Sequence, residues 1–144
     1  MNAVDSNILI YALREDSPWN LQARKVLREL AASPEPWAIP WPCVHEFLAI
    51  ATHARIYRPP TPLSDALLQL RNWMESPTLV LLHENEGYFD TLEEVLRRAN
   101  AQGPMVHDAR IAALCLRYGV KKLLTADRDF SRFPQLRTEN PLVK

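Results

Sequence analysis

The chain is short of several features, and each shortage excludes a class of protein. Cys43 and Cys115 are its only cysteines, with no CxxC or Cys/His spacing around them. That excludes a structural zinc site and a disulfide scaffold, and leaves two buried thiols as the expectation. No stretch reaches the roughly 18 apolar residues of a membrane span. The apolar run at residues 8–13 is short and has no basic approach, so it is not a secretory signal. No Asn-x-Ser/Thr sequon occurs. Charge of one sign is also lacking: 17 Lys and Arg balance 17 Asp and Glu. Net charge therefore offers nothing to a polyanion, and any contact with nucleic acid has to use local patches. There is no internal repeat, low-complexity tract or linker. These absences describe one cytoplasmic domain spanning residues 1–144, long enough to build a core without staples.

What is present is an alternation of short apolar runs with amphipathic segments. Ala3 and Val4 lead into Asp5-Ser6-Asn7 and the apolar residues 8–13, which reads as a short strand turning into a helix. Ser17-Pro18 predicts a second helix start, and Ala23, Val26, Leu27 and Leu30 give its buried stripe. Trp37-Ala38-Ile39 predicts a second strand, and Pro42 opens a helix that carries Glu46. Thr61-Pro62 predicts a further helix start. Residues 79–82 (LVLL) predict a third strand buried on both faces. A helix follows over residues 87–100. Gly103-Pro104 then precedes a helix opened by Val106-His107-Asp108 and stopped by Gly119. Residues 122–125 predict a fourth strand, with a weak fifth around Arg137-Thr138. Strand–helix alternation of this kind predicts an α/β fold whose central parallel sheet has four to five strands.

Four acids, Asp5, Glu46, Asp108 and Asp127, stand where these elements begin or end. In open α/β sheets, the loops at the carboxyl ends of parallel strands build the sites. Carboxylates gathered there repel one another unless protonated or bridged by a cation, and hard divalent cations prefer oxygen ligands. Taken singly, Asp5 or Asp108 fits a helix cap, Asp127 a turn, and Glu46 an outward-facing residue. Glu46 and Asp108 nevertheless lie within apolar sequence, where an inward carboxylate needs a partner. His45 and His107 each precede one of these acids. Adjacent helical residues point about 100° apart, so each His and its acid do not share an ion. Arg128 and Arg132 neighbour Asp127 and could meet a phosphate backbone; Trp41 and Tyr57 could stack on an unpaired base. The latter pair also fits ordinary packing. No Gly-x-Ser-x-Gly elbow or histidine pattern supports Ser6 as a nucleophile.

The motifs around these acids resemble those of PIN domains. Asp5-Ser6-Asn7 with its apolar continuation is similar to the family's opening motif, Val44-His45-Glu46-Phe47 to its second, residues 107–113 (HDARIAA) to its third, and residues 124–130 (LTADRDF) to its last. The compact length resembles VapC toxins of VapBC toxin–antitoxin pairs. The resemblance implies a Rossmann-like α/β/α sandwich, a homodimer, Mg²⁺ or Mn²⁺ as cofactor, and endoribonuclease activity on tRNA or other structured RNA. It implies a VapB-like antitoxin partner, through which alone DNA would be contacted. Asp5 and Asp108 would then bind the principal ion, Asp127 would complete the site, and Glu46 would ligate directly or through water. Ser6, Asn7 and Thr125 would orient the carboxylates. Asp129 falls at the family's variable fifth acidic position, and Arg128, Arg132 and His107 are the expected RNA contacts. Residues 55–62 (RIYRPPTP) match no motif. Two other readings stay open: an aspartyl phosphotransfer or phosphatase domain, against which Asn7 counts because such sites favour Asp-x-Asp, and a non-catalytic partner-binding module.

Overall fold

The computed structural model describes residues 1–143. In chain order it contains β1 (Asn2–Val4), α1 (Ser6–Leu13), α2 (Asn20–Ala32), β2 (Trp37–Pro40), α3 (Trp41–Ala51) and α4 (Leu63–Met74). There follow β3 (Leu79–Leu82), α5 (Tyr88–Ala99), α6 (Met105–Arg117), β4 (Lys122–Leu124), a short 3₁₀ helix (Arg128–Arg132) and β5 (Thr138–Glu139). Every strand pair is parallel, and the sheet order is β3-β2-β1-β4-β5. Right-handed crossovers fix where the helices go. The chain steps outward from β1 to β3, then returns past β1 to β4, so α1–α4 and α5–α6 cover opposite faces. The packing agrees: α1 lies against α2 and α3, α3 against α4, and α5 against α6.

That reversal of direction at β1 is what positions the site. The strand order switches between β1 and β4, and a crevice opens outside their carboxyl ends. Asp5 follows β1 directly and Thr125 follows β4 directly. The ladder continues one step past the strands, with the Asp5 amide donating to the Leu124 carbonyl at 3.0 Å. Beneath the crevice the central strand is fully enclosed: Ala3 and Val4 are buried, and so are Ile8 and Leu9 on α1, Phe47 on α3 and Ile111 and Leu114 on α6.

Two local expectations shift. Residues 79–82 do form a strand, but at the edge of the sheet, and only Leu82 is fully buried. An apolar run shows that a strand is covered without showing where the cover ends. The second helix begins at Asn20 rather than after Ser17. Ser17 Oγ instead accepts from the Trp19 amide at 3.1 Å, closing a turn. Asn20 sets the true start, since its side-chain amide donates to the Tyr11 and Ala12 carbonyls at 2.9 and 3.1 Å, partnering carbonyls of the last turn of α1. The start predicted at Thr61-Pro62 holds, with Pro62 at the cap of α4. Among the described residues, no helix is long and apolar enough to cross a membrane.

Residues 55–62, unassigned by motif, are held by Arg14. This arginine ends α1 and is buried, with 9% of its side chain exposed. Its guanidinium donates to the Pro59 carbonyl at 2.8 Å and Thr61 Oγ1 at 3.2 Å, and pairs with Asp16 through Nε at 3.0 Å and Nη2 at 2.6 Å. It also lies 4.2 Å over the centre of the Tyr57 ring, so that face of Tyr57 is unavailable to a base. Removing a buried, multiply bonded charge leaves its acceptors without partners. Arg14→Ala is therefore expected to lower the unfolding free energy by about 2–3 kcal/mol, measured by urea denaturation, and to expose residues 55–62 to proteolysis. A change below about 0.5 kcal/mol would show that the segment is held by something else.

A candidate metal-binding active site

Asp5 is the centre of the site and is only 3% exposed. It is a helix cap, as its position predicts: Oδ1 accepts from the Ser6 amide at 2.7 Å. It is also much more. Oδ2 accepts from Thr125 Oγ1 at 2.7 Å and from Asn7 Nδ2 at 3.3 Å, and Cys43 Sγ approaches Oδ1 at 3.5 Å. Burial pushes the Asp5 pKa up, against the pull of the Thr125, Ser6 and Cys43 hydrogen bonds. Its neighbours are themselves tied together. Asn7 donates to Thr125 Oγ1 at 3.1 Å and accepts from the Ala126 amide at 3.1 Å. Thr125 Oγ1 accepts in turn from the Asp127 amide at 3.0 Å. Ser6, Asn7 and Thr125 thus hold carboxylate-bearing backbone in place, with Asp5 joined across the β1–β4 crevice.

The remaining acids converge on this centre in two groups. Asp5, Cys43 and Glu46 offer ligand atoms within 4.8 Å of one another, and Asp108, Asp127 and Asp129 do the same. Glu46 is half-buried on α3, one turn beyond Cys43, with a long contact from Ser6 Oγ at 3.5 Å. Asp108 lies in the first turn of α6, but the cap there is Pro104, so Asp108 is not spent on capping. Asp127 makes the turn expected of it: its Oδ1 accepts from the Asp129 amide at 2.8 Å and caps the 3₁₀ helix. That turn carries Asp129 into the second group, although its side chain is exposed.

Crowding shows in the electrostatics. The Glu46 pKa is raised to about 7, by burial first and then by the charges of Asp5 and Asp108. Asp108 is raised to about 6, by burial and then by Asp127, Asp5 and Asp129, with Arg132 opposing. Arg132 is exposed on the 3₁₀ helix, as is Arg128. The Cys43 thiol is pushed up by burial and by Asp5 and Glu46, so it remains a weak S–H donor. What faces the crevice is then a set of carboxylate oxygens whose mutual repulsion favours a cation. Such a donor set fits a hard divalent ion such as Mg²⁺ or Mn²⁺.

The sequence pattern left out two participants. Cys43 was expected only as a buried thiol; its spacing of three from Glu46 on one helix is the available signal that they share a face. Arg110 sits within the third motif and donates from Nε to Glu84 Oε1 at 3.1 Å. Both histidines line a cavity of about 190 Å³ with Pro42, Glu46, Arg110 and Ile111. The Trp41 ring tilts against His45, with centroids 6.1 Å apart. A larger cavity, about 650 Å³ between α2 and the C-terminal segment, includes none of the site's carboxylates among its lining residues.

The raised carboxylates dictate a pH dependence. Between about pH 4 and pH 7 the metal-free native state holds protons that the unfolded chain has released, so its stability falls as pH rises through that window. Divalent cation should oppose the fall, since it binds the deprotonated form and displaces protons. The expected outcome is a Tm in EDTA that declines over this range, recovers on adding Mg²⁺ or Mn²⁺ at neutral pH, and declines less in Glu46→Gln. A Tm in EDTA that climbs with pH over the same range would contradict the crowding.

A family model described as PIN domain matches residues 3–136. Ribonuclease VapC43 of Mycobacterium tuberculosis is 31% identical over 142 residues, covering 99% of this chain and 96% of that protein. Ribonuclease VapC33 of the same organism is 28% identical, covering 96% of each. Among solved structures, VapBC2 from Rickettsia felis, bound to a DNA fragment from its promoter, aligns with a TM-score of 0.68 at 17% identity, covering 96% of each chain. VapC20 of M. tuberculosis, a Sarcin-Ricin loop cleaving toxin, aligns with a TM-score of 0.64 at 16% identity, covering 91% of this chain and 93% of that one. At these identities the structural likeness speaks for the fold, while the family match spans nearly the whole sequence. This chain belongs to the PIN domain family.

Proposed function

We propose that this protein is a divalent-cation-dependent endoribonuclease, the toxin of a toxin–antitoxin pair, with residues 1–144 acting as one domain. The observation that carries the proposal is a pair of carboxylate groups at the β1–β4 switch point, Asp5 with Glu46 and Asp108 with Asp127 and Asp129, beside a hydrogen-bond network that fixes Asp5 from both sides. Relatives matched over almost the full chain are named ribonucleases, and structural neighbours include complexes of toxin with antitoxin, some bound to DNA. A VapB-like antitoxin is the proposed partner, and DNA would be reached only through it. Homodimerisation and a cytoplasmic location belong to the same proposal.

Asp5, Asp108 and Asp127 would hold the cation, Mg²⁺ with Mn²⁺ as a substitute, and Glu46 would reach it directly or through water. Once bound, such an ion lowers the pKa of water and neutralises charge on a phosphodiester. The chain's own contribution is orientation. Thr125 and Asn7 fix one oxygen of Asp5 and the Ser6 amide fixes the other, so the central carboxylate cannot rotate away from the crevice. Asp129 would support Asp127 through their shared turn. Water is the nucleophile in this scheme: Ser6 has no histidine base, its hydroxyl leaning instead toward Glu46. The same hydrogen bonds to both oxygens of Asp5 argue against its use as a phosphoryl acceptor. Arg128, Arg132 and His107, all exposed, would meet the RNA. Structured RNA such as tRNA is the proposed substrate class.

The direct test is scission of a tRNA or total-RNA pool by purified protein, in Mg²⁺ or Mn²⁺ against EDTA. Metal-dependent cleavage at defined positions is expected, together with its loss in Asp5→Asn and Asp108→Asn. Cleavage by Asp5→Asn at the wild-type rate would reject the assignment. Thr125→Val removes only the orienting hydroxyl, so metal affinity should weaken by roughly 10–100-fold while the fold is retained, as read by calorimetry and Tm.

A further inference from the structure

We infer that the cleft beside the acidic centre seats one unpaired nucleobase flanking the scissile phosphate, that Arg110 reads it, and that guanine is preferred. The inference rests on the nuclease proposal above and specifies what the same site selects. The cleft holds about 190 Å³ and is lined by Pro42, His45, Glu46, His107, Arg110 and Ile111. Glu46 belongs both to this cleft and to the inner carboxylate group. Whatever occupies the cleft therefore lies next to a phosphate held at the carboxylates.

The lining suits a base better than a second phosphate. Pro42 and Ile111 give apolar contact, and the two imidazoles are flat groups on which a base can stack. His45 is itself backed by Trp41, tilted 32° to it. Glu46 in the wall would repel another anion, whereas an uncharged base tolerates it. A cleft of this kind admits a base only when that base is splayed out of a helix, which confines cleavage to loops and single strands.

Arg110 is the one lysine or arginine in the lining. Its Nε donates to Glu84 Oε1 at 3.1 Å in a partly exposed pair, which leaves the terminal amino groups as donors. A planar group with donors alone selects an edge that offers adjacent acceptors. Approached on the Hoogsteen edge, guanine presents O6 and N7 together, adenine pairs its N7 acceptor with an amino donor, cytosine presents an amino donor and uracil a single carbonyl. Glu84 is then a positioning residue, acting on the base through Arg110.

The test separates reading from cleavage. Fluorescein-labelled single-stranded RNAs differing only at one central base are titrated by anisotropy against full-length Asp108→Asn protein, and the same sequences are cleaved by the wild type in Mg²⁺. Guanine should be favoured on the order of tenfold in both binding and kcat/KM. Arg110→Lys keeps the charge but loses the planar fork, and is expected to flatten the preference with the Mg²⁺-dependent Tm shift unchanged. Glu84→Gln should narrow the preference partway. Equal binding of all four bases, or an unchanged guanine preference in Arg110→Lys, would overturn the inference. Guanine-selective, Arg110-dependent binding without cleavage of any RNA by the wild type would support it and reject the nuclease proposal instead.

Discussion

Everything at this site depends on keeping one buried carboxylate where it is. Asp5 has almost no access to solvent, and an ionised acid in that position is costly unless its oxygens are occupied. The occupants come from three parts of the chain: Ser6 and Asn7 on α1, Cys43 on α3 and Thr125 after β4. Satisfying the acid therefore ties the first strand to the fourth, across the point where the sheet order reverses. The network also sets the loop beyond β4, since Thr125 holds the Asp127 amide and Asp127 holds the Asp129 amide. One desolvated charge organises both the backbone and the other acids of the site.

The arrangement sets charge repulsion against function. Beyond burial, Asp5 and Asp108 raise the Glu46 pKa, Asp127 and Asp5 raise that of Asp108, and Asp127 raises that of Asp5, with Arg132 opposing at Asp108. Folding alone would be served better by fewer acids at the crevice. Strain of this sort, kept where a rigid scaffold can enforce it, is characteristic of sites that gain a ligand. The balanced charge of the whole chain follows the same logic. On the proposed function the acidic centre would need local cations at its rim to receive a polyanion, and Arg110, Arg128 and Arg132 would supply them without any overall basic excess.

Much of the fold was legible because its signals are local. Proline at the starts of α3 and α4, the glycine stop after α6 and the apolar runs of the first four strands are read from neighbouring residues, and the structure keeps them. Elsewhere the deciding partner was distant in sequence. The start of α2 was misplaced because Asn20 bonds to carbonyls at the end of α1, not to its own helix. The cover of residues 79–82 was overestimated because their place in the strand order, at the edge, is not written in the run itself. Residues 55–62 had no assignment because the residue that anchors them, Arg14, lies some forty positions away.

The sequence by itself determined the alternation of strands and helices, the residue types at the candidate site and the family to which they conform, since motif spacing and hydrophobic period are properties of the linear chain. Only the tertiary structure decided how the acids divide, with Asp5 and Glu46 against Asp108, Asp127 and Asp129. It alone made Cys43 a neighbour of Asp5, turned Tyr57 under Arg14, and brought His45, His107 and Arg110 around one cleft. The physical reason is common to all of these. Each is a contact between side chains on separate elements, and its existence depends on strand order and crossover handedness, which no single stretch of the chain encodes.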